Sequence, residues 1–331
     1  MVSFSLTLSR RYTEGIPTAC RKWFTIVSIF TGPVLFVINA PFGRFTLNGQ
    51  SIFLLDGVKS WIVMELVSPL TFIFTFLKSP LSQYEPVFEL SFAQYILAGA
   101  YLTHYLNRAI ISPLRTPSRS KSHIIVPFSG VLFNVLNGSL MGTYLSSPAA
   151  SVYLSRTRPS FFVGLSLWAI GFAGNIIHDE ILLNIRRKAN SKSDGKTSRI
   201  SGSGKTAKGN EGTTSEHYAI PHGLLYKYIS YPNYFCEWIE WFGFALAASP
   251  LPFAAPSLSD GAKILSFPAI FLESIWEPSS LFAPKLTPPW IFILNEIVLM
   301  LPRAYKGHRW YHEKFGNSYP KERKVVVPFV W

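Results

Sequence analysis

Apolar residues in this chain gather into long runs separated by short polar stretches. Runs at 23–40, 52–77, 88–111, 124–145, 160–183, 233–255 and 289–303 predict helices. Most approach or exceed the roughly 20 residues needed to cross a hydrocarbon core of about 30 Å. Sustained alternation of period two is missing from them, which argues against a membrane barrel. Gly32-Pro33 predicts a kink in the first run. The second is best centred on Trp61–Leu77. Asn134, Asn137-Gly138 and Gly142 interrupt the fourth, as close helix approach and hydrogen bonding between helices would require. The seventh is expected to stay helical past Arg303. The expected fold is all-α: a polytopic membrane protein with about seven transmembrane helices.

The polar stretches set the domain organisation. Residues 1–22, with Arg10, Arg11, Arg21 and Lys22, read as an N-terminal tail, although alone they would also suit a weak transit peptide. Helices one to five occupy 23–187. Residues 188–216 are Gly, Ser, Lys and Thr with few apolar side chains, so they predict a disordered cytosolic insertion. Its Gly204-Lys205-Thr206 mimics the end of a phosphate-binding loop, but Arg199 stands where the first glycine is needed. Residues 217–331 hold the last two helices and a polar tail. The connection 249–289 is rich in Pro and Ser and has room for an interfacial or re-entrant helix.

Composition agrees. Hydrophobic residues make up 48%, charged residues only 15%, against about 25% charged in an ordinary soluble domain. The net charge of +13 would point to nucleic acid in a soluble protein. Here the basic residues sit mostly between and after the spans, so they report topology, with a modest added role for anionic cofactor phosphates, and no nucleic-acid partner is expected. Arg115, Arg119, Lys121, the 186–208 region and the 303–324 tail fall on one side, which predicts a cytosolic C-terminus. The basic tail at 10–22 pulls the other way. Cys20 and Cys236 form neither a disulfide framework nor a metal spacing, so no metal site is expected.

Ionisable residues inside apolar runs are costly and usually face a protein interior or a wet cavity. Asn233, Glu237 and Glu240 lie at i, i+4 and i+7, on one helix face. A helix lying in the membrane interface would present the same pattern. Glu65 has no basic residue one turn on, so it is a lone acid in a span. Tyr101, Tyr105 and Arg108 share a face beside His104, as interfacial anchors also would. Asn175 and Asp179 are one turn apart, and Arg186 returns near the same face, which a solvated span end would also produce.

Tyr218-Ala-Ile-Pro221-x-Gly223, then Tyr228-Ile-Ser-x-x-Asn233-Tyr-x-x-Glu237-x-x-Glu240-Trp241-x-Gly243, resembles the C-terminal signature of the steroid 5α-reductase family. The ending Tyr319-Pro320-x-x-Arg323-Lys324 through Pro328-Phe329 is similar to that family's terminus, and His104-Tyr105-x-x-Arg108 to an internal motif. The resemblance covers most of the chain from Trp61 and fits a fungal or other eukaryotic member. It implies a multi-pass enzyme of the endoplasmic reticulum membrane. That enzyme would reduce a conjugated C=C bond of an apolar lipid or steroid with NADPH. It implies a substrate pocket in helices one to five, with Glu65 and Tyr105 as the paired catalytic residues, and a cofactor site towards the C-terminus. Asn137, Asn175, Asp179, Arg186, Tyr218, Asn233, Glu237, Arg303 and His308 would hold the cofactor. Gly307 departs from a His-rich run in the family, and 188–216 departs as an insertion. A Glu in an apolar bundle would stay protonated and share the carbonyl-polarising role with the Tyr hydroxyl. Relatives acting on polyprenols or long-chain enoyl thioesters share the C-terminal signature. A transporter or lipid-binding protein of the same fold is the alternative of another class.

Overall fold

The computed structural model describes residues 2–45, 51–81, 89–117, 119–156, 158–200, 218–253 and 271–330, with 2–14, 44 and 190–200 described by backbone alone. Each of the seven apolar runs forms a helix. They are α1 (Val2–Val37), α2 (Gly57–Lys78), α3 (Phe92–Tyr105), α5 (Ile125–Leu145), α7 (Pro159–Ile200), α8 (Pro232–Ala248) and α10 (Pro288–Phe315). Shorter helices lie between them: α4 (Ser112–Arg115), α6 (Pro148–Leu154) and α9 (Ser279–Phe282). The protein is an all-α polytopic membrane protein. Among the described residues, four segments are by themselves long and apolar enough to cross a bilayer: Gly15–Val37, Gly57–Lys78, Ile125–Leu145 and Pro159–Ala189.

Several boundaries differ from the sequence reading. The second helix starts at Gly57 and not at 52, because Asp56 caps it: its carboxylate accepts from the Val58 and Lys59 amides at 3.0 and 2.8 Å. The residues before it pair instead, Leu54–Leu55 antiparallel with Ser122–His123. Ser91 and Gln94 form a capping box that starts α3 at Phe92, inside the expected 88–111. The chain then widens into a π-helical stretch, Leu106–Ile111, before α4. The tail expected before residue 23 is helical from Val2, and α7 runs through Ile200 into the expected insertion. Extending a formed helix adds one hydrogen bond per residue ordered, so apolar spans propagate into polar flanks. The remainder of that insertion, 201–216, lies outside the described residues, as does 254–270 of the long connection.

The helices pack in pairs, α2 along α5, α7 along α8 and α1 against α10. Small residues permit this. A Cβ on Gly138 would run into the Ser68 backbone oxygen of α2. Gly32 lies directly against Val298 of α10, and α1 continues as helix through Pro33. Gly32 is thus a contact point. The core between the pairs is aromatic: Phe72, Tyr101, Trp241, Phe244 and Phe292 are buried and in edge or stacked contact. The tail returns to the start of α8. The Lys324 amide donates to the Tyr228 carbonyl at 2.8 Å, and the Ser230 amide to the Lys324 carbonyl at 2.9 Å.

Candidate active site

A cavity of about 410 Å³ opens where the C-terminal end of α1 and the stretch after α3 meet the middle of α7, the start of α8 and the middle of α10. Its size is that of a small-molecule site. The π stretch carries Arg108 into it, and such bulges recur at functional sites. The Trp61 indole donates to the Arg108 backbone oxygen at 3.3 Å, which holds the widened turn against α2.

Arg108 organises the inner end. Its Nε donates to Glu65 Oε1 at 3.1 Å and its Nη1 to Glu237 Oε1 at 2.7 Å. Both carboxylates are buried, so the guanidinium ties three helical segments through charge-assisted bonds. Asn175 completes Glu237, donating to its Oε2 at 3.3 Å and to the Asn233 carbonyl at 3.1 Å. The Asn233 side chain donates to Asp179 Oδ1 at 2.9 Å. Glu240, fully buried one turn further on, shares a 2.7 Å hydrogen bond with His104 Nδ1. The face predicted from 233, 237 and 240 therefore turns inward, and each member has a partner on α7 or α3.

The outer wall is cationic. Arg119, Arg186, Arg303 and Lys306 all line the cavity. Arg119 lies over the Trp61 ring, 3.8 Å from its centroid, and Arg303 over Phe42 at 3.6 Å. Neither forms an ion pair with a carboxylate among the described residues. Burial, then the neighbouring Arg186, push Arg119 down to about 10. Lys306 Nζ is buried without a hydrogen-bond partner.

The sequence candidates divide into three groups. Asp179, Arg186, Asn233, Glu237 and Arg303 line the cavity, and Asn175 stands directly behind it. Glu65 is joined to it through Arg108 and is not paired with Tyr105. Tyr105, a turn deeper, is buried with its hydroxyl accepting from Asn137 Nδ2 at 3.0 Å. That same amide group reaches Tyr101 Oη at 3.1 Å and Ser68 Oγ at 3.3 Å. Asn137 thus contacts the Tyr105 hydroxyl and does not line the cavity. Tyr218 packs edge-on against Trp310 at 4.9 Å, and His308 shares a 2.6 Å hydrogen bond with Ser230; both lie off the cavity. Sequence reasoning left out Arg108, His104, Arg119 and Lys306 as site residues. For Arg108 the signal was present: it stands at i+7 from Tyr101, and the lone acid Glu65 needed a cation from another helix.

Comparison with known proteins agrees with this architecture. A sequence model of 3-oxo-5-alpha-steroid 4-dehydrogenase matches residues 120–197, 208–259 and 261–331. The chain belongs to the 3-oxo-5-alpha-steroid 4-dehydrogenase family. It is an oxidoreductase acting on CH–CH bonds. An uncharacterized protein of Schizosaccharomyces pombe is 35% identical over 92% of this chain and 95% of its own length. The rat 3-oxo-5-alpha-steroid 4-dehydrogenase 1 is 26% identical over 88% of this chain and 87% of its own. The steroid 5-alpha-reductase DET2 of Gossypium hirsutum is 26% identical over 94% and 96%. The matched part begins at residue 120, so it takes in α5 to α10 with Arg186, Arg303 and Lys306, and leaves out Arg119. Glu65, Tyr105 and Arg108, on the helices before it, lie outside the matched residues.

Proposed function

We propose that this protein reduces the C=C bond of an apolar enone with NADPH, most directly the 4,5 double bond of a 3-oxo-4-ene steroid. The observation that carries the reading is one cavity with two unlike ends: four cationic side chains on the outer wall, and the Arg108-clasped Glu65 and Glu237 at the inner end. The relatives' names supply the steroid; the residues supply the reasons it suits the site.

The residues fit a dinucleotide phosphate. Arg119, Arg186 and Arg303 crowd their charges together, and Lys306 has no bonding partner, so an anion among them would relieve both. Asn233 and Asp179 would offer hydrogen bonds to its neutral parts. NADPH, when bound, supplies the hydride for the β-carbon of the enone. The chain's own task is to polarise the carbonyl, which stabilises the enolate left by hydride addition; the α-carbon then takes its proton from solvent water. Glu65 and the Tyr105 hydroxyl are the groups assigned to the carbonyl oxygen. Arg108 fixes Glu65, and Asn137 fixes the Tyr105 hydroxyl. Trp61 and Phe42, stacked under Arg119 and Arg303, fix the direction of both guanidiniums at the mouth. The location assigned is the endoplasmic reticulum membrane, with the C-terminus and the cationic wall on the cytosolic side.

The test is NADPH oxidation by purified protein in detergent with a 4-en-3-one steroid, followed by product identification. Conversion to the 5α-reduced ketone, lost in Tyr105→Phe and Glu65→Gln, is the expected result. NADPH binding without steroid turnover would move the substrate to polyprenols or long-chain enoyl thioesters. Folded protein that binds no NADPH would overturn the reading in favour of a lipid-binding or transport role.

A further inference from the structure

A second cavity, about 370 Å³, lies between the start of α3, the end of α6 and the start of α7. Its walls are apolar, with Phe92, Ile96, Leu154, Phe161 and Phe162 among them. It belongs to the other end of the bundle. Phe92 precedes Arg108 by sixteen residues along α3 and the π stretch, about 24 Å at helical rise, and Phe161 precedes Asp179 by eighteen along α7, about 27 Å. The two cavities are thus separated by close to a hydrocarbon thickness. The first site cannot reach this one, and the reaction described above makes no use of it.

The second cavity combines two chemistries. Phe92 and Phe162 are 80% and 58% exposed, and Phe162 stands on a helix long and apolar enough to cross a bilayer, so this side of the cavity faces lipid. Arg156 and Arg158 line the cavity as well. Arg158 stacks on Tyr153, 4.6 Å from the ring centroid, which fixes its direction. Neither arginine forms an ion pair among the described residues. Two unpaired guanidiniums beside an apolar recess at the edge of a bilayer match an amphiphile with an anionic head and a hydrocarbon tail.

We propose that this recess is a binding site for an anionic phospholipid, with an acyl chain between α3 and α7 and the phosphate on Arg156 and Arg158. The occupant is a membrane lipid and not a free anion, because the walls below the arginines are apolar. The site holds the α3, α6 and α7 ends together from the membrane face opposite the cationic cavity.

The experiment places the full chain in nanodiscs of phosphatidylcholine, alone or with added phosphatidylglycerol, and reads Tm and the lipid retained in native mass spectrometry. The expected result is an upward Tm shift and retained phosphatidylglycerol in the parent protein. Both are lost in Arg156→Gln/Arg158→Gln and kept in Arg156→Lys/Arg158→Lys. Lys78→Gln removes an exposed charge at the end of α2, off the cavity, and keeps both effects. Ala93→Trp fills the recess with the arginines intact and loses retention. Equal shifts in the double Gln variant and the parent, or retention unchanged by Ala93→Trp, would overturn the proposal. So would an equal shift from inorganic phosphate in phosphatidylcholine discs.

Discussion

At the scale of single residues, Arg108 decides the most. Its guanidinium bonds to both Glu65 and Glu237. Replacing it with Leu leaves two buried carboxylates facing each other, and breaking a buried pair this way costs about 3–5 kcal/mol. Arg108→Leu is therefore expected to lower Tm sharply in detergent, whereas Arg108→Lys recovers one bond of the two. Tyr105 separates structure from chemistry. Removing its hydroxyl forfeits one hydrogen bond with Asn137, about 1 kcal/mol. Loss of a carbonyl donor costs about 10²–10³ in kcat. Tyr105→Phe should then show nearly parental Tm with activity down by that factor; a matched small loss in both would make Tyr105 structural. His308, beyond the seventh span, carries a pH prediction. Burial, then His312, push it down from 6.5 to about 4. The folded form thus keeps it neutral where the unfolded chain would protonate it. Its share of stability is complete above about pH 6.5 and is lost as pH falls towards about 4. The Ser230–His308–Tyr319 contact should loosen across that window, read as faster trypsin release of the C-terminal tail.

At the scale of elements, the α7–α8 pair positions the hydrogen-bonded wall of the cavity. Asn175 and Asp179 stand on one helix and Asn233, Glu237 and Glu240 on the other. Their register depends on bare backbone contact: a Cβ on Gly164 would sit 2.5 Å from the Gly243 carbonyl oxygen, and Gly243 is equally close to α7. Gly164→Leu is expected to force the pair apart at a cost of about 1–3 kcal/mol, the usual range for overpacking. It should weaken NADPH binding in fluorescence titration although none of the residues it meets lines the cationic cavity. The run of apolar residues predicted both helices, but not this role for glycine. Spacing alone identifies a small residue as permissive; only the partner helix reveals what approaches it. The same holds for the π stretch at Leu106–Ile111, which no periodicity in the sequence marks and which brings Arg108 into the cavity.

At the scale of the whole molecule, the cavity draws on α1, α2, the 108–119 stretch, α7, α8 and α10, so it needs helices from both ends of the chain but not the polar insertion. Deleting 201–216 is expected to leave kcat/KM and Tm unchanged in the NADPH oxidation assay. That segment has few apolar side chains with which to contribute to a core. The amino-acid sequence by itself determined the all-α membrane class, because helix-length apolar runs with so little charge have no stable alternative to crossing a bilayer. It also placed Asn233, Glu237 and Glu240 on one helix face, but whether that face turned to a protein interior or to the membrane interface stayed open. Which partner each acid found was decided only by the tertiary structure. Glu65 meets Arg108 from forty-three residues away, Glu237 meets the same guanidinium from 129, and Glu240 meets His104 from 136. Such pairings depend on how helices are set side by side, and helix order in space is not encoded in any local period. Tyr105 shows the limit in the other direction. Its residue type marked it as a donor, but its hydroxyl points to Asn137 because α3 packs against α5, a contact between helices that no spacing along either one reveals.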